Sequence, residues 1–409
     1  MKHTLSILTA LCISTPMLFA TDPSPAPAAP DFQAMRAEVE ALAHLTEVPK
    51  YEVVERADAT PNLKPILYSG LDYQGKPTKV FAWLGVPENT DGKKVPAVVL
   101  VHGGGGAASK EWVKNWNNQG YAAISMSLEG ITDEFKRFPE GGPARVGIFG
   151  DSAAPIKDQW MYHAVADATL AAALLRSLPV VDPDKVGIVG CSWGGIITST
   201  VIGIDPRYAF AIPVYGCGGL SVIPNQHAGQ ALYNEALANN EVYKKVWDAN
   251  LRLDRARMPI LWLSWPHEPH FPMDAFNLSR KMAGSKDSLL CLVPGLGHGN
   301  LTGRPEWFAF ADSVLQEGRP WIREKSSTLA GGKIQAVFDS TKPLESASLV
   351  STTDTGHTGG RRWIATPATL SQNEGVWVVD AAVPEGTTAC FLNVKTGPLT
   401  ASSAYFQNK

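Results

Sequence analysis

The sequence predicts a doubly wound, mostly parallel α/β sheet followed by a small all-β sandwich. Two observations carry this. Between residues 95 and 315, short apolar runs alternate with helix-period segments, the rhythm of parallel strands joined by crossover helices. From about Gly331 the texture changes to short β-rich runs separated by Gly, Pro, Thr and Asp.

Taken in order, residues 51–54, 65–68 and 79–84 read as strands, the latter two meeting at a turn over residues 70–75 in an antiparallel entry. Val95 to Val101 is a buried strand, residues 110–118 a helix, and 121–126 a strand. The long Ala/Leu-rich segment 159–178 is a helix, 186–189 a strand, and 193–204 a helix. Strands are expected at 210–214, 260–263 and 289–293, with helices at 273–283 and 306–315. In the C-terminal part, residues 333–338, 346–351, 361–365, 376–383 and 388–394 read as strands. This divides the chain into an α/β domain over residues 31–325 and a β-sandwich over 331–409. Segments 130–157 and 218–257 exceed ordinary connection lengths and suit cap elements over a site.

Composition narrows the function classes. The 409 residues are 44% hydrophobic and 18% charged with a formal net charge of −3, which argues for a globular chain and against a nucleic-acid binder. Residues 1–20 have a short basic start, an apolar core and a small-residue end, the form of a secretory signal peptide; the apolar run is too interrupted to serve as a membrane span. The Pro/Ala-rich residues 21–30 read as a disordered linker, so the expected location is periplasmic or secreted. The mature chain keeps Cys191, Cys217, Cys291 and Cys390, too few for a disulfide scaffold and badly spaced for zinc. Cys191 and Cys217 fall at neighbouring strand ends, where a bridge and two buried thiols are both compatible with the spacing.

The chemistry-bearing pattern is Val186-Gly-Ile-Val-Gly-Cys-Ser192-Trp-Gly-Gly195, a strand that turns through Gly-x-Ser-x-Gly directly into a helix. Such a turn holds a serine hydroxyl exposed at the end of a sheet and marks Ser192 as a covalent nucleophile. Upstream, Val98 to Val101 ends in His102-Gly-Gly-Gly-Gly106, whose bare backbone N–H groups suit a developing oxyanion. Gly104 or Gly105 is expected to supply one donor and the N–H of Trp193 the other, with His102 tying down the loop. No Lys-Ser/Thr ending or GxGxxG spacing accompanies these glycines, so a phosphate loop is excluded. His298, bracketed by glycines after the last α/β strand, is the expected base. Glu268, on the loop past strand 260–263, is the expected acid, with Asp274 as the alternative; Asp274 also suits the start of the next helix. His267 and His270 flank Glu268, but a Pro-broken loop does not present two ligands on one helix face, so neither a metal nor any other cofactor is expected. A second, defective elbow at Val146 to Ala154 lacks its second glycine and runs into Pro155; its Ser152 is expected to line the entrance.

Together the blocks at 102–106, Trp112, Trp116, 120–123, 158–160, 192–195, 213–218 and 297–299 resemble the α/β-hydrolase superfamily. Within it they are similar to exported bacterial enzymes of the acetylxylan-esterase-like or prolyl-oligopeptidase-like branch, over about residues 51–321. Relatives of that branch carry an aspartate loop where this chain has Trp265-Pro-His-Glu268. The resemblance implies an ester substrate, small or polysaccharide-borne, with an acetyl or other short acyl group and hydrolysis through an acyl-enzyme. Trp112, Trp160 and Trp265 lie near the expected site in sequence and are candidates for stacking on sugars, or for simple packing. A peptidase would use the same three residues, but the N-terminal segment is too short for a propeller; a carbohydrate-binding protein without catalysis would need no such constellation.

Overall fold

The computed structural model describes residues 30–88, 92–224, 232–299, 302–316 and 321–407. The expected signal segment and residues 21–29 of the expected linker lie outside the described residues.

The polypeptide enters through helix α1 (Phe32–Ala41) and the antiparallel strands β1 (Tyr51–Val53), β2 (Leu63–Ser69) and β3 (Lys79–Gly85). The α/β body follows: β4 (Val95–Val101), α2 (Lys110–Asn117), β5 (Ala122–Met126), α3 (Trp160–Ser177), β6 (Val181–Cys191), α4 (Trp193–Ile204) and β7 (Ala211–Val214). After the short helix α5 (Tyr233–Leu237) come β8 (Ile260–Ser264), α6 (Met273–Met282), β9 (Ser288–Leu292) and α7 (Pro305–Leu315). The strand order is β1-β2-β3-β5-β4-β6-β7-β8-β9, parallel from β5 through β9. Strands β4, β5, β7 and β8 are buried nearly throughout, which is why they read as continuous apolar runs rather than alternating ones.

Two glycines in β6 show the layering. Gly187 and Gly190 face opposite sides of the sheet because side-chain direction alternates along a strand. A Cβ on Gly187 would strike the Phe210 ring, which stacks on Trp116 of α2. One on Gly190 would strike the backbone of Gly194 and the Thr198 hydroxyl in α4. Helices α3 and α4 pack together on the Gly190 side, and α2 meets α7 on the other through Trp112 and Trp307. Helix α2 is N-capped by Ser109, whose hydroxyl accepts from the Trp112 N–H at 3.1 Å.

The C-terminal strands begin at residue 322, earlier than the sequence texture suggests. One antiparallel sheet holds β10 (Ile322–Ala330), β11 (Lys333–Ser340), β14 (Thr369–Asn373) and β15 (Val376–Ala382), in the order β10-β11-β15-β14. The others, β12 (Ser346–Thr352), β13 (Ile364–Pro367), β16 (Ala389–Thr396), β17 (Leu399–Ser402) and β18 (Phe406–Gln407), extend the central sheet beyond β9. The join is β17 beside β9, with Ser402 opposite Leu290. Asn393 and Ser402 close it: the Leu292 N–H donates to Ser402 Oγ at 2.8 Å, and Asn393 Nδ2 donates to the Leu292 carbonyl at 2.9 Å. One leaf of the β-sandwich is therefore a continuation of the α/β sheet.

A methyl at Gly194 would overlap the Val101 carbonyl oxygen, a backbone atom that cannot swing aside. Gly194→Ala is expected to cost about 3 kcal/mol or more, read as a loss of soluble, cooperatively melting protein. Burial pushes the Asp167 carboxyl in α3 well above the usual carboxylate range. A raised folded-state pKa favours the native state below the unfolded value of about 3.9, and that contribution is lost as pH rises. Asp167→Asn should therefore raise Tm at pH 8 relative to wild type and leave the difference small near pH 4; an equal shift at both pH values would exclude this cause.

Candidate active site

Ser192 sits between β6 and α4 with φ 58° and ψ −118°, a backbone conformation rare for a residue with a side chain. It is locked there from both sides. Its N–H donates to the Val214 carbonyl at 2.9 Å, and its carbonyl accepts from the N–H groups of Gly195 and Ile196 at 2.8 and 3.1 Å.

Three side chains from three loops then line up. His298 Nε2 is 3.1 Å from Ser192 Oγ, and its Nδ1 is 2.8 and 3.0 Å from the two carboxylate oxygens of Glu268. With Glu268 ionised, Nδ1 carries the proton and donates, leaving Nε2 free to accept from the serine hydroxyl. Glu268 is wholly buried, and both its oxygens have a second donor: the indole N–H of Trp265 at 2.9 Å and the backbone N–H of His270 at 2.9 Å. Asp274, the alternative acid, turns away from the site. It accepts from the Tyr405 hydroxyl at 2.8 Å and pairs with Arg361 at 3.5 Å.

The glycine loop faces the serine, and a Cβ on Gly103 would lie 3.2 Å from the Ser192 Cβ. His102 is buried, which lowers its pKa and keeps the ring neutral; Nε2 accepts from the Leu128 N–H at 2.9 Å, so Nδ1 donates to the Gly103 carbonyl at 2.6 Å. This is the loop-tying role expected of it. Gly105 is a correction: its N–H donates to Glu129 Oε1 at 3.0 Å and is not available to an oxyanion. The Gly106 N–H is likewise taken, by the Gly103 carbonyl at 3.0 Å. Among the described residues, the Gly104 and Trp193 N–H groups carry no such bond, and these two remain as donors.

The expected aromatic platforms also need correction. Trp160 is buried, with its indole N–H on the Leu128 carbonyl at 2.7 Å, and Trp265 is turned to Glu268; neither lines the cleft. Trp112 reaches the cleft wall but is buried against Trp307. These indoles follow strands, and their large apolar area is used in packing. Ser152 is likewise absent from the cleft wall and is held by Asn240 Nδ2 at 2.8 Å; residues 147–150 form turns rather than a strand. Cys191 and Cys217 are buried free thiols with pKa values raised by burial. Among the described residues no group of three or more His, Cys, Asp or Glu side chains is placed to hold a metal ion, and no helix is long and apolar enough to cross a membrane.

Several contributors escaped the sequence reading. Tyr215 lies with its ring centroid 4.4 Å from that of His298, and its hydroxyl donates to the Gly299 carbonyl at 2.6 Å, fixing the loop that carries the base. Glu129 follows the end of β5, and position just past a parallel strand was the available signal. Thr358, Arg361 and Tyr405 left no local signal, because their contacts are with residues about 85 to 130 positions away.

Sheet order and elbow define the α/β-hydrolase fold. More particularly, residues 24–218 match the acetyl xylan esterase (AXE1) family, a span that holds the glycine loop and Ser192. The fold is similar to that of the acetyl xylan esterase from Paenibacillus sp. R4 (TM-score 0.51, 17% identity, 68% of this chain and 92% of that one). It is also similar to acetyl xylan esterase 1 from Thermoanaerobacterium sp. JW/SL YS485 (TM-score 0.52, 18% identity, 71% and 93%). A probable dipeptidyl-peptidase 5 of Aspergillus clavatus is 28% identical over 162 residues, 36% of this chain; the match spans about a fifth of that relative's length.

Exchanging the two carboxylates in turn separates their roles. Glu268→Gln should lower kcat by about 10³- to 10⁴-fold, because His298 loses its orienting charge, and should also cost roughly 1–3 kcal/mol of stability, because the new amide NH2 faces buried N–H donors. Asp274→Asn should leave kcat near wild type and cost roughly 1–3 kcal/mol of stability. The reverse pattern would reassign the acid.

Proposed function

We propose that this protein is an exported serine esterase that removes acetyl or other short acyl groups from hydroxyls, with polysaccharide-borne esters as the natural class. The observation that carries the reading is the continuous hydrogen-bonded line from Glu268 through His298 to Ser192, ending beside two unused backbone N–H groups. The match of residues 24–218 to acetyl xylan esterases supports the acyl and alcohol classes, and the N-terminal sequence supports export.

In this mechanism His298 Nε2 takes the Ser192 hydroxyl proton as Oγ attacks the ester carbonyl carbon. The resulting oxyanion accepts hydrogen bonds from the N–H groups of Gly104 and Trp193. Collapse breaks the bond to the alkoxy oxygen, which leaves as the alcohol with the proton from His298. Water enters, gives its proton to His298 and attacks the acyl-enzyme; the second collapse returns the proton to Ser192 and releases the carboxylic acid. Glu268 holds the imidazole in the tautomer this requires and stabilises the imidazolium between steps.

A fluorophosphonate probe should label the wild type at Ser192 and fail to label Ser192→Ala, whose turnover of 4-nitrophenyl acetate should fall by about 10⁵-fold or more. Dipeptidyl 4-nitroanilides should be poor substrates beside it. Preference for the amide would instead favour a peptidase, the class of the Aspergillus relative.

A further inference from the structure

Part of the wall of this cleft comes from a small hairpin after β5, through Asp133 and Phe135, and its make-up is unlike that of the residues around Ser192. Ile131 bridges Arg137, the Thr132 N–H donates to the Lys136 carbonyl at 2.9 Å, and the Phe135 N–H donates to the Thr132 carbonyl at 3.0 Å. Arg137 anchors the hairpin, donating to the Glu129 and Gly142 carbonyls at 2.9 Å each. At its tip Phe135 is 64% exposed and has φ 61°, a left-handed conformation that a bulky aromatic residue adopts rarely. An apolar ring kept in water, on a backbone that disfavours it, is unfavourable twice over. Such residues cluster where a ligand is gripped.

Phe135 does not stand alone. It lines the same cleft as Ser192 and His298, and so does Asp133 two residues before it. Asp133 Oδ1 accepts from Arg56 Nη1 at 2.7 Å and Oδ2 from the Trp83 indole N–H at 2.9 Å. A carboxylate has about four lone-pair positions, so about two remain for other donors. Its side chain is 15% exposed, enough to present them to the cleft while its partners hold it in place. The cleft measures about 570 Å³, within the size range of sites that enclose whole small molecules and far beyond what an acetyl group fills. The surplus space must serve the alcohol.

We infer that Phe135 and Asp133 form a leaving-group subsite that binds a sugar ring of the alcohol, Phe135 stacking on its C–H face and Asp133 accepting hydrogen bonds from its hydroxyls. The pairing matches the chemistry of a pyranose, which has an apolar face of C–H groups suited to the negative face of an aromatic ring and a rim of hydroxyl donors. The inference rests on the esterase reading above, since it assigns the alcohol side of that reaction. It makes Phe135 and Asp133 specificity determinants that touch the leaving group and not the acyl carbon.

The test compares an acetylated xylotriose with ethyl acetate, whose alcohol is too small to span to the hairpin. Phe135→Ala and Asp133→Asn should each lower kcat/KM for the oligosaccharide about tenfold, mainly through KM, and leave ethyl acetate within about twofold. Phe135→Gly suits the left-handed backbone, so it should melt at or above the wild-type temperature while showing the same selective loss; this separates a lost contact from a damaged fold. Calorimetry of unacetylated xylotriose with Ser192→Ala should show binding that Ser192→Ala/Phe135→Ala lacks. Equal losses on both esters, no loss on either, or unchanged xylotriose binding would overturn the subsite. If the wild type cleaves neither ester, the esterase reading falls, and the calorimetry still decides whether this hairpin binds a sugar.

Discussion

Everything in the site depends on holding Ser192 at positive φ at the end of β6. That conformation costs of order 1–3 kcal/mol and persists only where its surroundings leave no alternative. Here they leave none. Gly190 and Gly194 let α4 sit directly on β6 and β4, and Gly216 lets the segment just after β7 pass over the serine carbonyl; a side chain at any of the three would overlap backbone. Helix α4 is buried along nearly its whole length, with Ile196, Ile197, Val201 and Ile202 in the core. Burying each such side chain contributes about 1.5–3 kcal/mol, so the packing of this one helix outweighs the strain at its first turn. Ser192 is positioned by tertiary packing, and the Gly-x-Ser-x-Gly pattern is its trace in the sequence.

The Glu268 carboxylate is held by different means. Glu268 lies on a loop containing three prolines between residues 266 and 272, with no helix or strand to stiffen it. Further support comes from the C-terminal loops between β12 and β13 and between β17 and β18. The Thr358 hydroxyl accepts from the Met273 N–H at 2.8 Å, Gly359 lies against the Glu268 carbonyl with no room for a side chain, and Arg361 and Tyr405 hold Asp274. Because β17 continues the central sheet, this bracket is built on the same rigid frame as the serine. The C-terminal region thus braces the loop that carries Glu268.

What was legible in the sequence follows from the range of the interactions involved. The limits of β4 and α4 could be read to the residue, because both are buried runs bounded by local punctuation, and Ser192, His298 and Glu268 follow from strand ends taken in chain order. Strands β10, β14 and β17 escaped notice. Residues 322–330 and 369–373 are largely exposed and lack an apolar alternation, and residues 399–402 are short and buried only by partners far along the chain. The tryptophans misled for a related reason. Composition shows that an indole is present, whereas its direction is set by which carbonyl or carboxylate the fold brings to its N–H, as Leu128 is brought to Trp160 and Glu268 to Trp265. Gly105 likewise looks identical to Gly104 in sequence, and only Glu129 distinguishes them.

The two sides of the cleft obey different constraints. On the catalytic side, glycines, buried helices and a wholly buried carboxylate leave almost no position free to vary, since each change meets backbone or strands a buried polar group. The other part of the wall is an insertion between β5 and α3 whose hairpin is closed by its own hydrogen bonds, anchored by Arg137 to backbone carbonyls and tied through Asp133 to Arg56 and Trp83. Carbonyls are present whatever the side chains are, so Phe135, whose side chain makes none of these bonds, can change without disturbing the frame. Glu129 stands at the boundary, accepting from Gly105 on the catalytic side while its own carbonyl accepts from Arg137 in the insertion. On the esterase reading proposed above, a fold arranged in this way holds the residues around Ser192 constant and leaves variation to a few exposed positions such as Phe135.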